Sequence, residues 1–208
     1  ACTVQTDEDT LASEPTLPSG PILSAFSPPP ITAGLVAHYN ADSWTGSQWF
    51  DLSGAGNHVT EVGGTTSIAV ARPVGAPAYV YGASTAWMKF PVGILPSAAY
   101  TLFYVARYNG AAKQRIFQGL TSNWLSGFHN HNLVKTGVAF HSEACGYITP
   151  ETSDGSDNWL LGSDRSNSFR SNGKERTSTA NTCAVFDRLA INTGSAGSEV
   201  SDFAVQSV

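Results

Sequence analysis

Four groupings of residues in this chain have types and spacings that could do chemistry. His129-Asn130-His131 puts two imidazoles at i and i+2, which share one face of a strand and could hold a metal. Glu199-Val200-Ser201-Asp202 brings two carboxylates close in sequence, the ingredients of glycoside hydrolysis. Asp154 and Asp157, in Thr152-Ser153-Asp154-Gly155-Ser156-Asp157-Asn158-Trp159, offer oxygens to calcium. Asp51-Leu52-Ser53-Gly54-Ala55-Gly56-Asn57-His58 could offer more.

Each grouping stops short of a reaction centre. His141 is nearby in sequence but no third ligand is evident, so the histidines also fit a polar loop. Glu199 and Asp202 would fall on opposite faces of a regular strand, whereas a glycosidase pair must face one bond. No Gly-x-Ser-x-Gly nucleophile turn is present. Asp51 and Asn57 fit turn-capping roles, with Gly54 and Gly56 free to take positive φ. Calcium, through Asp154 and Asp157, is the one cofactor these residues suggest. Binding by ring stacking and amide hydrogen bonds is the other chemistry on offer. Trp44 sits in the polar turn Asp42-Ser43-Trp44-Thr45-Gly46 and is the candidate exposed ring. Asn123, Asn130, His131 and Asn132 are candidate hydrogen-bonding partners for a glycan. Trp49, Trp87, Trp124 and Trp159 fall in strand-like segments and are expected in the core.

The elements that must position these groups are short strands. Residues 35–39 alternate, and residues 100–107 are apolar on both faces, as expected of a central strand covered on both sides. Further strands are expected at 67–71, 78–81, 86–90, 114–119, 124–128, 137–141, 159–163, 168–171, 188–192 and 202–207. Gly63-Gly64, Asn109-Gly110, Asn172-Gly173 and Thr193-Gly194 read as turns between them, and Asn172-Gly173 is the strongest hairpin signal. No segment keeps a helical period. The fold class is therefore all-β, an antiparallel β-sandwich or jelly roll.

The chain divides near Pro30. Residues 1–30 hold six of the 11 prolines and end in Ser27-Pro28-Pro29-Pro30, a run that favours extended polyproline II. Residues 31–208 form the expected sandwich domain. From Ala1 to Ala71 there are seven acidic and no basic residues, while the remainder carries 11 basic and 9 acidic ones. A weakly basic body behind an acidic leader lacks the clustered basic face of a nucleic-acid binder. It fits a solvated tail, or head-to-tail contact between copies. The middle of this leader, Gly20-Pro21-Ile22-Leu23-Ser24-Ala25-Phe26, suits a spacer or an arm that docks on a sheet edge, in its own or a neighbouring copy. No apolar run is long enough to cross a bilayer. Ala1 fits a mature N-terminus left by signal-peptide removal. Cys145 and Cys183 are a candidate internal bridge, which would contribute about 4 kcal/mol. Cys2 is then a free thiol or an intermolecular link, and three reduced thiols are the other reading.

The two motifs Leu35-Val36-Ala37-His38-Tyr39 and Asp51-Leu52-Ser53-Gly54-Ala55-Gly56-Asn57-His58 resemble the signature of the laminin-G-like, concanavalin A-like lectin family. The resemblance runs over residues 31–208 and implies a concanavalin A-like jelly roll. It does not choose among lectins, hydrolases, lyases and structural adhesion domains. Glycosidases of that fold carry Glu-x-Asp-x-x-Glu, and its lyases carry Arg-rich and Gln-x-His strands, and neither motif is present here. Ser27, Pro28, Pro29 and Pro30 resemble the O-glycosylated motifs of plant and algal wall proteins. The expectation is a non-catalytic module at an extracellular, cell or virion surface. It would be a subunit of an assembly or filament joined through its arm, with copies of itself or other surface proteins as partners. A carbohydrate-binding lectin is the alternative, and a polysaccharide hydrolase or lyase the third reading.

Overall fold

The computed structural model describes residues 33–95, 99–130, 133–150, 158–179 and 187–208. The arm with Cys2, Ser27, Pro28, Pro29 and Pro30 lies outside them, as do His131, Asn132, Asp154, Asp157 and Cys183. The described chain is an antiparallel jelly-roll sandwich of two sheets. One sheet has six strands: β1 (Glu61–Gly64), β4 (Ala86–Lys89), β12 (Leu189–Ile191), β6 (Phe117–Gly119), β7 (Trp124–Asn130) and β8 (Leu133–His141), in that order. The other has seven: β11 (Lys174–Glu175), β10 (Ser168–Ser171), β9 (Leu160–Arg165), β5 (Thr101–Tyr108), β13 (Phe203–Ser207), β3 (Tyr79–Gly82) and β2 (Ala69–Ala71).

The core lies between the sheets. Tyr39, Trp49, Phe90, Tyr104, Phe117, Trp124, Phe128 and Phe203 are among the buried side chains that fill it. The Asn172-Gly173 hairpin joins β10 to β11, both residues taking positive φ (50° and 77°), as a type I′ turn requires.

Three expectations need correction. Residues 35–39 are extended but do not form a strand. The sheet reaches them only through Tyr39, whose amide and carbonyl bond Val208 at 2.7 and 3.0 Å, and through the Asn40–Ser207 bridge. Gly63 and Gly64 are not a turn but half of β1. Gly63 stands opposite Trp87, and its missing side chain lets the indole lie across the strand. β5 is central but covered on one face only: Leu102, Tyr104, Ala106 and Tyr108 point inward, while Phe103 is 59% exposed on the outer face.

Candidate binding face

The Asp51 turn is built as a scaffold. The Asp51 carboxylate accepts bonds from the amides of His38, Ser53 and Asn57, each at 2.9 Å, and from the Ser53 hydroxyl at 2.8 Å. Asn57 donates its side-chain amide to the Val36 carbonyl at 2.8 Å, and Gly54 and Gly56 take positive φ (89° and 77°). Burial alone would raise the Asp51 pKa, but these donors outweigh it and hold the carboxyl below its usual range. Asp51→Ala is therefore expected to destabilise the domain by about 2–3 kcal/mol, measured by urea unfolding at pH 7. The folded pKa is lowered. The contribution is thus full above the unfolded value of about 4 and is lost as pH falls through the folded one.

Trp44 is not an exposed ring. It is 8% exposed and packs edge-on against Trp49, with ring centroids 6.4 Å apart and planes at 89°. The turn folds back so that Trp44 and Trp49 form a backbone bridge, which draws the indole inward. Asn123 donates its amide to Glu143 at 2.6 Å, at the edge of the other sheet. The structure does not bring Trp44 and Asn123 together: the 3-10 turn before Trp44 packs on β13 and β3, whereas Asn123 precedes β7. The backbone of Asn130 ends β7. His129 and His141 lie far apart on the β7–β8 hairpin. His141 pairs with Trp124 at one end and Asn130 with Leu133 at the other, a separation of about 15 Å. Among the described residues, no three His, Cys, Asp or Glu side chains converge as a metal site.

Glu199 and Asp202 have separate jobs. Glu199 Oε2 lies 2.5 Å from Arg115 Nε and 3.5 Å from His129 Nε2, both on buried side chains. Asp202 accepts the amides of Ser84 and Ala112, each at 2.9 Å. One carboxylate neutralises a buried cation and the other ties down two loops. Cys145 is half-buried, and its candidate partner Cys183 lies outside the described residues.

The exposed aromatic surface lies instead on the outer face of the seven-stranded sheet. Strand alternation puts Tyr79 and Tyr81 of β3 on that face, with Phe103, Val105 and Arg107 of β5 and Leu161 of β9. Phe103, Leu161 and Tyr81 are 59%, 47% and 37% exposed. Register aligns them in rows. Phe103, Ser163, Arg170 and Glu175 form one row across four strands, and Arg107, Ala204 and Tyr81 form another. The Arg107 guanidinium lies over Tyr79 at 5.5 Å and Trp159 at 5.0 Å, and Tyr79 meets Trp159 edge-on at 5.4 Å. Trp159 and Trp87 were expected in the core. Both are half-buried on outer faces, because each stands where its sheet has no covering layer.

Beside this ridge a groove of about 600 Å³ runs past Phe103, Leu161, Ser163, Arg165 and Arg170. At the other end of the ridge, Trp159 borders a polar crevice of about 180 Å³ with Thr136, Asn158, Ser171 and Arg176. Rings alternating with guanidinium, hydroxyl and carboxylate groups can stack on an apolar face and hydrogen-bond its rim. Sequence reasoning missed this face. The signal was there in Tyr79-Val80-Tyr81 and Phe103-Tyr104-Val105-Ala106-Arg107, but alternation does not say which side of a sheet stays bare.

No protein-family model matches the sequence, and no curated protein matches it. Two solved structures share the fold. Domain 4 of AbnA, a GH43 extracellular arabinanase from Geobacillus stearothermophilus, solved in complex with arabinotriose, aligns with a TM-score of 0.61 at 15% identity. That alignment spans 83% of this chain and 90% of that one. The binding domain of Paraclostridial Mosquitocidal Protein 1 aligns with a TM-score of 0.56 at 10% identity, over 85% of this chain and 48% of that one. The present chain thus spans about half the length of the second. At these identities the likeness is one of fold. Among the described residues, no helix is long and apolar enough to cross a membrane.

Proposed function

We propose that the chain is a non-catalytic extracellular adhesion module that takes a carbohydrate on the aromatic outer face of its seven-stranded sheet. The observation that carries this reading is the aromatic outer face, where exposed Phe103 and Tyr81 and half-buried Tyr79 and Trp159 are interleaved with Arg107, Ser163 and Arg170. The solved neighbours support it: one is a domain in complex with arabinotriose, and the other is described as a binding domain. Glu199 and Asp202, the sequence's nearest approach to a glycosidase carboxylate motif, are each committed to a structural partner, which favours binding over hydrolysis.

A glycan array probed with the purified protein is expected to give hits. Tyr81→Ala and Trp159→Ala should each weaken them about 30-fold, the effect of removing an aromatic anchor worth about 2 kcal/mol. Trp44→Phe should leave binding unchanged. A blank array, or hits indifferent to both ring deletions, would remove the carbohydrate reading.

A further inference from the structure

The outer face of the seven-stranded sheet differs in charge from the chain that carries it. The chain has a formal charge of −5. Among the described residues of the seven strands, alternation turns three arginines outward: Arg107 of β5, Arg165 of β9 and Arg170 of β10. The carboxylate set against them on those strands is Glu175 of β11. Three arginines against one glutamate leave this face positive by two charges on an acidic protein.

The register spreads these arginines along the ridge. Arg165 stands opposite Thr101 at one end of β5, and Arg107 lies near the other end, about 20 Å along the strand. Arg170 lies in the Phe103 row between them. Arg165 and Arg170 are diagonal neighbours on β9 and β10, with Cα atoms about 7–8 Å apart. Both border the groove of about 600 Å³, to which Phe103 and Leu161 give apolar surface and Ser163 and Ser168 give hydroxyls.

The two arginines of the groove are also paired differently from those elsewhere. Arg72, Arg115 and Arg188 each meet a carboxylate away from this face: Asp42, Glu199 and Glu61. Arg165 is exposed and has no ion-pair partner among the described residues. Arg170 gives Nε to Glu175 at 2.9 Å, in a pair whose side chains are 62% and 47% exposed. A pair that open contributes little, and the terminal nitrogens of Arg170 have no acceptor among the described residues.

We propose that the glycan taken on this face is acidic: a uronate chain with a carboxylate held between Arg165 and Arg170 and a sugar ring against Phe103. The inference rests on the carbohydrate reading and names the class of its ligand. A guanidinium is a planar fork that donates two parallel bonds to a carboxylate, and arginine serves this better than lysine. Ser163 and Ser168 supply hydroxyls for those of the sugar. The sheet offers one guanidinium at each of three levels, the Thr101, Phe103 and Arg107 rows. That spacing suits a chain with one charge per ring, where a densely sulfated chain would call for clustered cations. A neutral glycan would use the rings and leave the charge of Arg165 unanswered.

The test is an array of oligouronates of gluco, galacto, manno and gulo configuration, each beside its carboxyl-reduced counterpart, which keeps the sugar and removes the charge. At least one acid is expected to bind about tenfold or more tighter than its reduced counterpart. Arg165→Gln and Arg170→Gln, both at exposed positions, should each weaken that acid about tenfold and leave the reduced sugar nearly unchanged. Lys89→Gln removes the same charge from the other sheet and should change neither. Glu175→Gln removes a like charge from the groove and should tighten acid binding about two- to fivefold. Added salt should erode the acid's advantage. Hits confined to neutral glycans, or acids that bind no better than their reduced counterparts, overturn the acidic class, and their loss on Tyr81→Ala and Trp159→Ala keeps the carbohydrate reading. Poly-glutamate or a sulfated oligosaccharide that binds as tightly as the best uronate also overturns it, by reducing the face to its charge. A blank array removes the carbohydrate reading and this inference with it.

Discussion

Replacing His141 by alanine is expected to lower the stability of the domain by about 3–5 kcal/mol, the cost of leaving a buried charge without its partner. His141 ends β8 in the six-stranded sheet and Asp164 lies in β9 of the other, so the pair ties the two sheets through the core. Both side chains are fully buried, with Nε2 2.9 Å from Oδ1. Nδ1 faces the Ser166 carbonyl at 3.2 Å. Both neighbours are acceptors, so both ring nitrogens donate and the imidazole carries its second proton. Trp124 stacks on the ring at 6.1 Å and 21°, and the Tyr100 hydroxyl donates to the same Asp164 oxygen at 3.1 Å.

Burial by itself would depress the His141 pKa; the Asp164 charge and hydrogen bond, with the Ser166 carbonyl, outweigh it and leave the pKa raised. A raised folded pKa fixes the sign of the pH dependence. The contribution is full below the unfolded value of about 6.5 and is lost as pH rises through the higher folded one. Wild-type urea midpoints should therefore fall from pH 6 towards alkaline pH, with the His141→Ala difference shrinking over the same range. His141→Leu combined with Asp164→Leu should recover much of the loss, because removing both charges leaves no orphan. A His141→Ala protein as stable as wild type at pH 6 would show that the pair is not charged.

Much of the sandwich was legible in the sequence because its signals are local. The β10–β11 hairpin follows from Asn172-Gly173, where only residues tolerant of positive φ complete the turn. The Asp51 turn follows from one carboxylate among glycines, serine and asparagine. The functional surface was not legible, because its defining property is an absence. Phe103 and Tyr104 are equally apolar neighbours in one strand, and only the second sheet decides that Tyr104 is buried and Phe103 bare. Trp44 failed for the same reason in reverse. Its polar neighbours suggested exposure, but the ring it meets, Trp49, is brought to it by the fold of the turn.

Gly127→Ala is the second change expected to be severe, at about 3–4 kcal/mol. Gly127 lies in β7 where the register with β8 shifts between Ser126 and Phe128, and its φ is +81°. An L-residue there costs about 1–2 kcal/mol in backbone strain. A methyl group would also run into the hydroxyl of Tyr104, which reaches across from the other sheet and shares a hydrogen bond with Ser126 at 2.9 Å. Overpacking of that kind costs about 1–3 kcal/mol more. Gly162, in β9 beside Tyr104, is close in a different way: a methyl group there would strike the ring at Cζ and Cε2 as well as the hydroxyl. Gly162→Ala should cost about 1–3 kcal/mol, with no strain from positive φ.

The two glycines therefore form the walls of one notch, and removing the hydroxyl distinguishes them. Tyr104→Phe alone should cost about 1 kcal/mol for the lost bond to Ser126. Combined with Gly127→Ala it should restore part of the loss, because the obstructing oxygen is gone. Combined with Gly162→Ala it should restore little, because the ring remains. Thermal midpoints of the five variants and the wild type give the two coupling energies directly. Equal rescue at both positions would mean that the hydroxyl is not what Gly127 accommodates, and that its place in β7 rests on backbone conformation alone.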